Sequence, residues 1–117
     1  MEITEDYVSL EIAELLKEKG FYESCRVSSV ATSLPTLQMA MKWLRIKHEI
    51  LIEIIGFSLY NGKTKNFEIR YKSRLYGIKR TTPNYMEEII LHDTVPFQSY
   101  EDAALEGIKY CLTNLIK

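Results

Sequence analysis

The period of the apolar residues changes at His48. Upstream, Leu37, Ala40, Met41 and Leu44 recur three and four positions apart, the spacing of one helix face, and Met39, Trp43 and Ile46 form a second stripe beside them. From His48 onward, Ile50, Ile52 and Ile54 alternate with Glu49, Leu51, Glu53 and Ile55, and β-branched residues dominate, as in a strand. A strand with isoleucines along one face needs an apolar cover. The expected fold is therefore α+β, with helices covering one side of a sheet.

Upstream, Ser9 to Lys19 reads as an amphipathic helix in which Val8, Ile12, Leu15 and Leu16 recur at helical spacing. Ser9 can cap its start, Gly20 suits the left-handed position after its end, and Phe21 can fold back onto the last turn. Residues 22–33 show no clear period and read as a loop, with a short extended piece at Arg26 to Val30. The double-striped helix is expected from Pro35, a residue that needs no donor in a first turn, to about Lys47. The width of its apolar surface suggests that it is the central helix.

Beyond the isoleucine strand, Gly56 suggests a bulge, and Asn61-Gly62 a tight turn with positive φ angles. A return strand from Lys65 to Leu75 places Phe67, Ile69, Tyr71 and Leu75 on the covered face and Glu68, Arg70, Lys72 and Arg74 on a wet one. Residues 77–84, with Thr82-Pro83, read as a loop. Tyr85 to Leu91 suits a strand or a helix, and its brevity favours the strand. Ser99, three residues before Asp102, can cap a last helix on which Ala104, Ile108, Cys111, Leu112 and Leu115 share a face. Gly107 within it costs ~1 kcal/mol relative to alanine, which points to a close approach to the sheet.

The order is ααβββα: a small antiparallel three-stranded sheet packed by three helices in one domain, residues 1–117. Without its first helix it has the topology of double-stranded RNA-binding domains, and topology carries no function by itself. A chain of 117 residues with 46% apolar and 26% charged residues can build one packed core. Its longest apolar run, Ile50 to Ile55, is interrupted by Glu53 and is far shorter than a membrane span. The acidic start, Met1 to Asp6, lacks the basic and apolar regions of a secretory leader, so the expected location is cytoplasmic, without a membrane partner. Cys25 and Cys111 match no zinc or redox spacing and are expected to be free thiols.

Charge is distributed unevenly. Seven of the fifteen basic residues, Lys63, Lys65, Arg70, Lys72, Arg74, Lys79 and Arg80, lie in segment 63–80 with only Glu68 opposing them, so that segment carries +6 and the remainder −7. With Tyr71 and Tyr76 interleaved, the segment could meet phosphates and stack bases, and about four neutralised phosphates would give a log–log salt slope of roughly −3.6. Alternatively, the same residues keep a wet strand soluble and oppose pairing at its edge. Glu101 and Asp102 at the start of the last helix would repel a duplex backbone, which argues against RNA binding in the manner of the αβββα domains.

His48-Glu49 and His92-Asp93 are the nearest approaches to a catalytic pair, but neighbours on a strand point to opposite faces. No nucleophile, phosphate-loop or metal-ligand motif is found, so the expected function is non-enzymatic, without cofactor or metal. The expected partner is a protein, unidentified or a second copy of the chain. Its candidate contact is the stripe Leu37, Met39, Met41 and Trp43, should that be left uncovered.

Three stretches, YVSLEIAELLKEKGF from Tyr7, PTLQMAMKWLRIKHEI from Pro35 and SYEDAALEGIKYCLTNLI from Ser99, resemble small proteins of gut Bacteroidetes, some of them associated with phages or mobile elements. The resemblance covers the three helices and leaves the basic segment outside it. It implies a bacterial or phage, intracellular origin, and brings no activity, cofactor or site residue with it.

Overall fold

The computed structural model describes residues 6–21, 34–82 and 84–116. The elements are α1 (Leu10–Glu18), α2 (Leu37–His48), β1 (Leu51–Asn61), β2 (Asn66–Thr82), β3 (Tyr85–Asp93) and α3 (Tyr100–Tyr110), the last continuing as a π-helical turn, Cys111–Leu115. The fold is α+β in the order ααβββα, with an antiparallel sheet ordered β1-β2-β3. Tyr85 to Leu91 is a strand, while the extended piece expected at 26–30 lies outside the described residues.

Side-chain oxygens cap all three helices. The Ser9 hydroxyl accepts from the Ile12 amide at 3.3 Å, Thr36 from Met39 at 3.1 Å, and Ser99 from Asp102 at 3.0 Å. Pro35 is thus one residue ahead of the cap rather than in the first turn. Its carbonyl accepts from the Val8 amide at 3.0 Å, tying the start of α1 to that of α2. At the end of α1, Gly20 has φ 102° and the Phe21 amide donates to the Leu16 carbonyl at 2.9 Å, which returns the buried Phe21 ring to the core.

The core is built from Leu16, Leu44, Leu75, Ile108, Cys111 and Leu112, all without exposed surface. Ile50 is buried with them, and Ile52 and Ile54 pack against the cluster half-buried. α3, rather than α2, is the helix laid on the sheet, where it contacts both β1 and β2; α2 packs on α3 and on β1. The reason is the small surface that α3 presents. A Cβ on Gly107 would stand 2.8 Å from Ser73 Oγ, and the buried Ser73 hydroxyl donates to the Ala103 carbonyl, so side chain and helix backbone meet directly.

β2 is 17 residues long and is the central strand; of its basic residues, Arg74 lies where it is paired on both sides, whereas Arg70, Lys79 and Arg80 lie where one of its sides is open. It runs through Gly77 to Thr82, where the sequence reads as a loop. β1 pairs with its residues 66–76 and β3 with 74–82, so all three strands overlap only at Arg74 to Tyr76. Segment 94–97 follows β2 as far as Tyr71, where Tyr71 and Phe97 exchange backbone hydrogen bonds; beyond Tyr71 on one side and Tyr76 on the other, a two-stranded ribbon leaves the body. The Cα radius of gyration of 16.3 Å exceeds the roughly 13 Å of a compact domain of this size, as two projecting arms require.

Gly56 makes no bulge, because the β1–β2 register runs unbroken through Gly56 opposite Tyr71. It leaves room for the Tyr71 ring, whose Cε1 would lie 3.2 Å from a Cβ at that position. Register shifts occur instead between β2 and β3, at Leu75/Tyr76 and Arg80/Thr82. The first hairpin closes over Asn61 to Asn66 rather than as a two-residue turn. Asn61 accepts from Lys63 N through its side chain at 2.9 Å and from Lys65 N through its carbonyl at 2.8 Å, and the positive φ, 57°, falls on Lys65.

Candidate protein-contact surface

Cross-strand register assigns each side chain a face. Ile52 opposite Leu75, Ile54 opposite Ser73, Gly56 opposite Tyr71, Ser58 opposite Ile69 and Tyr60 opposite Phe67 share the helix side. Helix cover ends with the Tyr100 ring, edge-on to Tyr71 at 6.4 Å. Beyond it, Tyr60, Phe67 and Ile69 are 55%, 72% and 61% exposed. Phe67 and Ile69 therefore lie on the expected face but are not buried. An 11-residue helix is roughly 16 Å long, whereas a 17-residue strand is roughly 55 Å, so α3 cannot cover β2.

On the second arm Ile78 and Met86 are exposed on the opposite face, where they adjoin Leu51 and Ile90 of the triple overlap. An open cleft of about 310 Å³ is lined there by Arg45, Glu49, Leu51, Tyr76, Gly77, Ile78, Met86, Glu87 and Glu88. Neither histidine lines it. His48 ends α2 with its ring against Trp43 at 4.8 Å, and His92 stacks on Tyr110 at 3.7 Å with the rings 2° from parallel. Asp93 is turned to the other face of the sheet and binds Arg74 there, so His92-Asp93 is not a dyad.

Register also accounts for the basic segment. Arg74 donates to Asp93 through Nε at 2.8 Å and through Nη2 at 3.1 Å, Lys72 approaches the same carboxylate at 3.5 Å, Arg70 pairs with Glu68, and Arg80 donates to Glu49 at 2.8 Å. The hydrogen bonds from Arg74 hold the Asp93 carboxyl below its ordinary value, and those from Arg80 do the same for Glu49. Arg74 and Arg80 are raised in turn by these partners. Among the described residues Lys63, Lys65 and Lys79 have no carboxylate within ion-pair distance. Four of the seven basic residues thus meet a carboxylate, Glu68 within the segment and Asp93 and Glu49 from outside it, which brings the +6 of the segment to +4.

The stripe named from the sequence is spent on the core. Leu37, Met41 and Trp43 are buried and Met39 half-buried, with the Trp43 indole edge-on to Phe21 at 5.6 Å. It leaves little apolar surface exposed, whereas the arms carry large exposed apolar side chains. Among the described residues no group of three or more His, Cys, Asp or Glu side chains could hold a metal, and no helix is long and apolar enough to cross a membrane. Cys111 is a free thiol pushed up to about 12 by burial; Cys25 lies outside the described residues.

No family model, curated protein or solved structure matches the chain. The likeness to double-stranded RNA-binding domains thus rests on element order alone.

Proposed function

We propose that this chain is a non-enzymatic protein-binding module that presents its sheet arms, rather than its helices, to a protein partner. The observation that carries the reading is the exposure of large apolar side chains on two-stranded ribbons, with Phe67 the extreme case at 72%. An isolated ribbon is marginal in water, and contiguous exposed apolar surface marks a contact site. A reducing, cytoplasmic setting, in a bacterium or its phage, belongs to the same proposal; the free, buried Cys111 and the resemblance of the helices support it.

The test is affinity purification from the native cell with wild-type chain and with Phe67→Lys and Met86→Lys, one on each arm. Both sites are exposed, so the variants fold. A defined partner retained by the wild type and lost from either variant is expected. Identical capture by all three would contradict the reading.

Nucleic-acid binding through segment 63–80 is the alternative, favoured by the unanswered charges of Lys63, Lys65 and Lys79. Three phosphate contacts would give a salt slope of roughly −2.7 on duplex DNA, and absence of binding at ~50 mM salt removes it.

A further inference from the structure

The first arm has its own arrangement of charge. Tyr60, Phe67 and Ile69 form an apolar strip on its helix-side face, with the Tyr60 and Phe67 rings 5.3 Å apart. At the tip stand Lys63 and Lys65, both exposed and without an ion-pair partner among the described residues. At the base, where Tyr100 meets Tyr71, stands the first turn of α3, with Glu101 and Asp102, which likewise have no ion-pair partner there. From Tyr71 to Lys65 is six residues along a strand, roughly 20 Å. The strip thus runs from an acidic end to a basic end.

A surface with this polarity is complementary to itself under a twofold rotation, the symmetry of most homodimers. Two such strips laid antiparallel put apolar centre on apolar centre and each basic tip on the other chain's acidic base. Area sets a limit on the contact. At their exposures the three side chains offer on the order of 350 Å², against about 800 Å² per partner in a standard interface. The apolar strip is too small alone, and the tip-to-base contacts are what extend it.

We infer that the partner of the first arm is a second copy of this chain, bound through antiparallel arms with Lys63 and Lys65 of one copy on Glu101 and Asp102 of the other. This rests on the arms being contact surfaces, as proposed above, and adds who occupies one of them. The second arm and its cleft remain outside the contact, free for another protein.

Sedimentation velocity of the purified chain from ~1 to ~100 µM, the range of a modest interface, is expected to show monomer and dimer in equilibrium. Phe67→Lys should leave only monomer, with an unchanged circular dichroism spectrum. Reversing the tip, Lys63→Glu with Lys65→Glu, should weaken the dimer about tenfold or more, because like charges then face each other. Reversing the base as well, Glu101→Lys with Asp102→Lys, should restore it to within about threefold, a recovery that indiscriminate apolar sticking does not produce. A wild type that stays monomeric, a dimer indifferent to Phe67→Lys, open-ended oligomers, or a folded double reversal without recovery would each overturn the inference. Capture of a different protein by the arms in the cell would survive all four, so the two proposals fail separately.

Discussion

Leu75 and Phe67 sit on one strand, on one face, eight residues apart, and their fates are opposite: Leu75 has no exposed surface, Phe67 is 72% exposed. Nothing in their chemistry separates them. The difference is position along β2, because α3 is laid over the middle of the strand and stops at Tyr71. Period decides which face a side chain takes, and the length of the covering helix decides whether that face is dry.

The contrast breaks if the two positions respond alike to truncation. Leu75→Ala should destabilise the fold by about 3 kcal/mol, the lost transfer energy plus the cavity. Phe67→Ala, on the arm, should shift the stability of the dilute chain by less than about 0.5 kcal/mol. Urea unfolding of the two variants reads both, and equal losses would mean that something covers the arm.

A smaller effect sharpens the same picture, because Asp93 ties β3 to β2 next to the triple overlap. Its pKa is depressed by Arg74, first through hydrogen bonds. A carboxylate depressed on folding contributes stability above its unfolded value, and that contribution is lost as pH falls through the folded value. Wild type should therefore lose more stability between pH 7 and pH 3 than Asp93→Asn does, by a modest margin since the pair is exposed. Equal slopes in urea midpoint against pH would show that the pair contributes nothing.

Local chemistry was legible in the sequence wherever one residue type meets a local need. Ser9 and Ser99 cap, Gly20 adopts its left-handed φ, and Gly107 lets α3 touch the sheet. Thr36, beside the more conspicuous Pro35, shows where two adjacent signals compete. Gly77 and Thr82-Pro83 made the end of β2 resemble a loop. In the fold Gly77 is there for Leu91, whose Cδ1 would lie 2.9 Å from a Cβ.

Pairing was not legible, because it depends on register. Arg74 and Asp93 lie 19 residues apart, and Arg80 and Glu49 lie 31 apart, so a basic run read along the chain hides the carboxylates that β3 and the end of α2 bring to it. The uncovered arms were hidden for a related reason: Tyr60, Phe67 and Ile69 alternate as core residues do, and only the limited length of α3 exposes them.

Hydrogen exchange along β2, in dilute chain carrying Phe67→Lys, tests the central claim most directly. The account predicts that amides at Ser73 to Leu75 exchange only through global unfolding, while those at Phe67 to Arg70 and beyond Ile78 exchange orders of magnitude faster through local opening. Uniform protection from Phe67 to Arg80 in that monomer would contradict it, because the strand would then be covered along its whole length.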